Sequence, residues 1–223
     1  LMGKVAFIFF VSGALFYVVP VPDQLPVGPF MIVLAMIVEF FIGFLIGFTM
    51  DLLISGIEFA GSIMDTQAGL SVASLLDPSS GRNMSLLSLI LKYCATILFL
   101  VMDGHHLIIS SVANSFKIIP ICYVADLSKP VYTVLQFGTY VFFVGVQLSA
   151  PILLIIFMVD FGLGILNKVA EQINVFQLGF QVKPLVSLII FLAVTPGFVS
   201  AIIKILEQIS DDLLKLFHAF EGG

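Results

Sequence analysis

Residues 130–159 read PVYTVLQFGTYVFFVGVQLSAPILLIIFMV, an uncharged run that begins after Lys129 and ends before Asp160. A helix needs about 20 such residues to cross the hydrocarbon core of a bilayer. The run is therefore long enough to span, and it sets the expectation for the rest of the chain. A second uncharged run, 184–203 between Lys183 and Lys204, meets the same test. Weaker runs are 5–22, 30–50 interrupted by Glu39, 86–102 interrupted by Lys92, and 104–125 interrupted by Lys117.

The composition agrees. Of 223 residues, 60% are hydrophobic and 10% charged, against roughly a quarter charged in an ordinary soluble domain. So few charges cannot cover the surface of a water-soluble protein of this length, and lipid or apolar partner subunits must cover the remainder. The sequence predicts an all-α fold of integral membrane helix hairpins. The formal charge of −5 is spread without a basic cluster, which argues against a nucleic-acid partner.

Breakers divide the runs. Asp77-Pro78-Ser79-Ser80-Gly81 marks a turn, Ser85 is placed to cap a helix beginning at Leu86, and Ser128 with Pro130 repeats that start signal. Pro151 and Pro196-Gly197 fall inside apolar runs, where a missing N–H predicts kinks. The apolar stretch 5–22 resembles a signal peptide only superficially, because Pro20, Pro22 and Pro26 stand where a small-residue cleavage site would be. Lys and Arg number two at each successive junction: Arg82 and Lys92, Lys117 and Lys129, Lys168 and Lys183, Lys204 and Lys215. That flatness assigns no serpentine topology by the positive-inside rule.

Glu39, Gly43, Gly47 and Asp51 recur every four residues. The Gly43-to-Gly47 step places two glycines on one helix face, where absent side chains let another helix approach closely. Asp51, Ser55, Glu58, Ser62 and Asp65 continue the helix with the three carboxylates on one stripe, so one face is expected to be wet. A carboxylate at the bilayer centre costs about 2.5–3.5 kcal/mol on the lenient insertion scale. Glu39, Asp51, Glu58, Asp65 and Asp77 thus call either for a water-filled passage or a polar partner surface. An amphipathic helix outside the hydrocarbon is the other reading.

Chemistry-bearing motifs are sparse. Adjacent histidines in Asp103-Gly104-His105-His106 point about 100° apart on a helix, and three converging metal ligands are not evident. Cys94 and Cys122 lack C-x-x-C spacing and read as small core residues. No catalytic triad order, phosphate-binding glycine loop or H-E-x-x-H spacing occurs. No enzyme, cofactor or metal site is expected. The polar insertion from Asn167 to Lys183 is long for a hairpin turn. Its apolar residues Ile173, Val175, Phe176, Leu178 and Phe180 alternate with Asn174, Gln177 and Gln181, which suggests a segment packing on a partner.

Several of these stretches, taken in order, resemble the FliR family, the export-gate subunit of flagellar type III secretion. They are Glu39 with Ile42-Gly43-Phe44 and Ile46-Gly47-Phe48, Ala60-Gly61, Gln67-Ala68-Gly69-Leu70, and Asp77-Pro78 with Gly81. Asp103-Gly104-His105-His106, Ser115-Phe116, Ile119-Pro120, Pro151, Asn174-Val175-Phe176, Gly179-Phe180 and Lys183 complete the series. Two departures touch one turn: the family usually has proline where Glu171 stands and often arginine where Lys168 stands.

The resemblance implies a helical, ring-like gate assembly built with FliP-type and FliQ-type subunits, in contact with FlhB and FlhA, in the bacterial inner membrane at the flagellar basal body. Unfolded export substrates would pass through it, with lipid outside. It implies that residues 1–129 resemble the P subunit and 130–223 the Q subunit, and that 104–120 is a plug carried by Gly104, His105, Ser115, Phe116 and Pro120. Helix packing and subunit contacts would fall to Glu39, Gly43, Gly47, Asp77, Pro78, Asn174, Phe176 and Lys183. It also implies an apolar segment ahead of Leu1, so that the chain is expected to be truncated there. A virulence-type secretion gate is the alternative within this class. A secondary transporter for small solutes is the alternative outside it, since broken helices and intramembrane carboxylates also mark that class.

Overall fold

The structure, a computed structural model, describes residues 2–17, 19, 28–71, 85–119, 128–170, 172 and 174–221, with 210, 220 and 221 described by backbone alone. Asp77, Pro78, Gly81, Pro120, Cys122 and Glu171 lie outside the described residues. Among the described residues there are six helices and no strand: α1 Met2–Phe16, α2 Pro29–Ala68, α3 Leu86–Val101, α4 Gly104–Ile118, α5 Ser128–Val169 and α6 Val175–Glu221. Every uncharged run predicted to be helical lies largely within one of them. By length and composition α2, α5 and α6 can each cross a membrane, and α3 with α4 adds a fourth span if the two are taken as one broken helix. The protein is an all-α membrane protein.

The long helices exceed the predicted runs. α2 has 40 residues, α5 42 and α6 47, about twice the length that a bilayer requires. The acidic stretch 51–65 continues the apolar stretch 30–50 in one helix. Pro151, Pro184 and Pro196 lie inside their helices without ending them, as a residue that removes one N–H among many permits.

Two helix ends follow from identifiable local chemistry. At the end of α2, Gly69 adopts φ +76°, Gly69 N–H donates to Thr66 O at 3.2 Å and Leu70 N–H to Asp65 O at 3.0 Å. This paired pattern satisfies the last carbonyls and stops the helix. Between α3 and α4, Asp103 takes φ 57° and is the one non-glycine residue with positive φ among those described. A left-handed residue breaks the helix, and Asp is among the few that tolerate the conformation.

The chain forms two compact units: Leu1–Met50 with Asp103–Phe137 and Gln208–Gly223, and Asp51–Met102 with Gly138–Glu207. In the first, buried apolar residues come from α2 (Val38, Ile42, Leu45, Ile46), α5 (Val134, Phe137) and the last turns of α6 (Leu213, Leu216, Phe217). α1 has no buried residue, and Phe9 and Phe10 are almost wholly exposed. Apolar surface on that scale needs lipid or another subunit to cover it.

In the second unit, buried seams run at helical spacing: Leu53, Ile57, Ala60, Met64 and Ala68 on α2; Leu87, Leu91 and Ala95 on α3; Val144, Leu148, Ile152 and Ile156 on α5. Glycines set how closely these helices approach. A Cβ added at Gly61 would stand 2.3 Å from Ser88 Cα, one at Gly56 would stand 2.7 Å from Val141 Cγ1, and one at Gly145 would stand 2.6 Å from Phe59 Cδ1. Phe59 also packs on Phe142, their ring centroids 5.5 Å apart.

Candidate functional site

The acidic stripe of α2 turns inward. Glu58 forms an ion pair with Lys92 of α3 at 2.9 Å, and its backbone carbonyl accepts the Ser88 hydroxyl at 2.8 Å. Asp65 is fully buried, and its Oδ2 accepts the backbone N–H groups of Leu87 at 2.9 Å and Ser88 at 3.4 Å. Those are the donors that an N-cap side chain normally satisfies. Ser85 occupies the N-cap position as expected but makes no side-chain cap hydrogen bond; Asp65, from another helix, supplies it. The expectation of a continuous wet face is therefore corrected: Asp51, Ser55 and Ser62 are exposed, while Glu58 and Asp65 grip α3.

Directly after Asp65 in the same unit, Thr66, Gln67, Ala68 and Gly69 from the end of α2 meet α5 and the start of α6 around a cleft of about 620 Å³. Asp160 of α5 pairs with Lys183 of α6 across the hairpin. Asn174 caps α6 by accepting the Gln177 N–H at 3.2 Å. Phe176 stands 75% exposed and meets the Phe180 ring edge-on, centroids 4.8 Å apart. Leu163, Gly164, Asn167, Val175 and Gly179 complete the lining. Amides, one ion pair and two aromatic rings make a surface suited to holding a polypeptide segment, and its groups show no arrangement for bond-making chemistry.

Of the residues singled out from sequence, Asn174, Phe176 and Lys183 come together here. Gln67-Ala68-Gly69 and Gly179-Phe180, which carried part of the family resemblance, join them. Asp160 enters the sequence reading only as the boundary of an apolar run, although a signal for the pair existed: Asp160 and Lys183 are opposite charges placed about symmetrically around the polar turn near residue 172.

The remaining candidates among the described residues lie in the other unit. On α2, Glu39 is half-buried, Gly43 and Gly47 are exposed, and nothing lies within 4 Å of a Cβ built on either glycine. Phe44 and Phe48 stack beside them, centroids 5.6 Å apart. On α4, Gly104 and Ser115 are buried, Phe116 is half-buried and His105 is exposed. The Ser115 hydroxyl donates to Val112 O at 2.8 Å. His105 Nε2 lies 4.0 Å from Asp103 Oδ1. No group of three His, Cys, Asp or Glu side chains placed to hold a metal occurs among the described residues.

Comparison with known proteins matches residues 1–209 to the family described as bacterial export proteins, family 1. The chain belongs to that family. Its relatives include the flagellar biosynthetic protein FliR of Buchnera aphidicola subsp. Baizongia pistaciae, 35% identical over 187 residues, covering 84% of this chain and 73% of the relative. FliR of Pectobacterium carotovorum is 31% identical over 185 residues (81% and 71%), and FliR of Escherichia coli K12 30% over 174 residues (78% and 67%). The surface presentation of antigens protein SpaR of Shigella sonnei is 28% identical over 152 residues, covering 68% of this chain and 59% of the relative. Bacterial export proteins of family 1 are structural parts of an export apparatus, working within a complex, and not enzymes.

Proposed function

We propose that the chain is a gate subunit of the flagellar type III export apparatus that forms, with FliP-type and FliQ-type subunits, the channel through which unfolded flagellar proteins cross the inner membrane. The observation that carries this is family membership over residues 1–209 together with similarity to FliR proteins. The exposed surface supports it. Phe9, Phe10, Phe40, Phe44, Tyr93 and Phe176 stand open to the outside of the single chain, as expected of a subunit completed by others and by lipid. In this reading residues 1–129 take the P-like place, 130–223 the Q-like place, and the cleft bearing Asn174, Phe176 and Lys183 receives a neighbouring subunit. FlhB and FlhA are the further partners.

Residues 104–120 form the plug in this proposal. α3 exposes Leu86, Ile90, Tyr93, Thr96, Ile97, Leu100 and Val101, whereas every exposed residue of α4 is polar: His105, His106, Ser110, Asn114 and Lys117. Polar groups at membrane depth face a bundle interior or a water-filled cavity, and that supports a place for α4 at the channel. Similarity to SpaR favours a virulence-type gate as the second reading, at lower coverage.

Two experiments test the proposal. The tagged chain, expressed with P-type and Q-type subunits, is expected to co-purify with both; purification as a stable lone protein that takes up small solutes would overturn the gate assignment. Deleting 104–120 in the assembled complex is expected to let ions leak through the membrane, and a tight membrane around an assembled complex would remove the plug assignment.

A further inference from the structure

We propose that Asp65 is a proton-operated clasp on the α2–α3 hairpin. The argument starts from what its two carboxyl oxygens do. Oδ2 accepts two backbone N–H groups in the first turn of α3, at 2.9 and 3.4 Å, while Oδ1 is buried and has no hydrogen-bond partner among the described residues. The side chain is wholly shielded from solvent, so water does not complete the shell from outside. A carboxylate in this position is opposed by desolvation and held by the Ser85 hydroxyl, by the two backbone N–H groups and by the positive end of α3. Oδ1 is the place where a proton can add without displacing an existing bond.

Among the described residues, the neighbouring charged groups are already paired or turned to solvent. On its own helix Glu58 is paired with Lys92 of α3, and Asp51 is exposed. On α3 the hydroxyl of Ser85 lies beside the carboxyl, and Ser88 directs its own hydroxyl to Glu58 O. On the helices that complete the unit, Asp160 is paired with Lys183. No described cation lies within ion-pair distance of Asp65. Adding a proton to Oδ1 turns charge-assisted hydrogen bonds into neutral ones of about half the strength. The first turn of α3 then loosens from α2. Gly61, one turn before Asp65, holds α2 against the Ser88 backbone, so the hairpin does not separate when the cap weakens. The loosening is confined to the start of α3.

The test is hydrogen–deuterium exchange on the full chain in its assembled complex, following the amides of 86–90 against those of 95–101 as an internal reference for the intrinsic pH effect. In the unaltered protein, protection of 86–90 relative to the reference is expected to fall by about tenfold as the carboxyl is titrated with acid, the size of one helix cap. Asp65→Asn, which keeps the shape and removes the charge, is expected to show the low protection at every pH. A protection ratio that does not change with pH in the unaltered protein overturns the proposal, and this measurement needs no variant to fold. An Asp65→Asn protein that keeps the full pH response overturns it as well, since another group would then be titrating.

Discussion

The two halves of α2 carry glycines in ways that look alike on paper and differ in space. Gly43 and Gly47, at the spacing associated with close helix approach, have nothing within 4 Å of an added Cβ; Gly56 and Gly61, five apart and outside that pattern, would drive a Cβ into Val141 and into the backbone of Ser88. The first half exposes Phe40, Phe44 and Phe48. The second half is gripped by α3 through Glu58 and Asp65 and touched by α5 at Val141. A glycine thus marks a place where close approach is possible, and a neighbouring helix decides whether it happens within the chain.

The sharpest way to break the comparison is Gly61→Ala. The new methyl would meet backbone atoms that cannot rotate away, so a loss of about 3 kcal/mol is expected from overpacking, read as a lower unfolding temperature of the purified chain in detergent. A melting curve like that of the unaltered chain would mean that α2 and α3 are not in contact there. Asp65→Ala comes next: the buried Leu87 and Ser88 N–H groups lose their acceptor, at a cost of about 2 kcal/mol, with faster amide exchange concentrated at the start of α3.

Gly56→Ala should cost about 1 kcal/mol, because the crowded atom nearest the new methyl belongs to the Val141 side chain, although the Val141 carbonyl stands at 3.2 Å. For the Glu58–Lys92 pair, side-chain exposures of 30% and 37% limit the coupling measured in a double-mutant cycle with Gln and Met to about 0.5 kcal/mol. Gly43→Ala acts on the chain itself in the opposite direction, a gain of at most about 1 kcal/mol from helix propensity. Its informative readout is assembly: retention of partner subunits on purification should fall if a helix from another subunit uses this face, and stay unchanged if lipid does.

Legibility from sequence followed the range of the interactions. The apolar runs and the starts at Ser85 and Ser128 depend on neighbours a few residues away, and they could be read directly; the stop after Ala68, set by Gly69, was not among the readings. The 51–65 stripe could not be read directly. Its period placed the carboxylates on one face, but whether that face met water or another helix depended on α3, which begins beyond the breaker cluster at 77–81. Ser85 is the same lesson in reverse: the residue type and position were right for a cap, and a carboxylate from 20 residues earlier took the role. In the cleft, Asn174, Phe176 and Lys183 were singled out through the family resemblance, but their meeting with Gln67 and Asp160 could not be read from spacing.

By itself, the sequence determined that this is an all-helical membrane protein without an evident catalytic centre, because hydropathy and breaker residues act locally and composition limits what water can cover. Its ordered motifs also carried the resemblance to an export-gate family. Only the tertiary structure decided which glycines are in contact, which carboxylates grip α3 instead of facing water, and which distant segments share a cleft. Those outcomes depend on which helices lie side by side, and a one-dimensional pattern of spacing is the same whether a neighbour is present or absent.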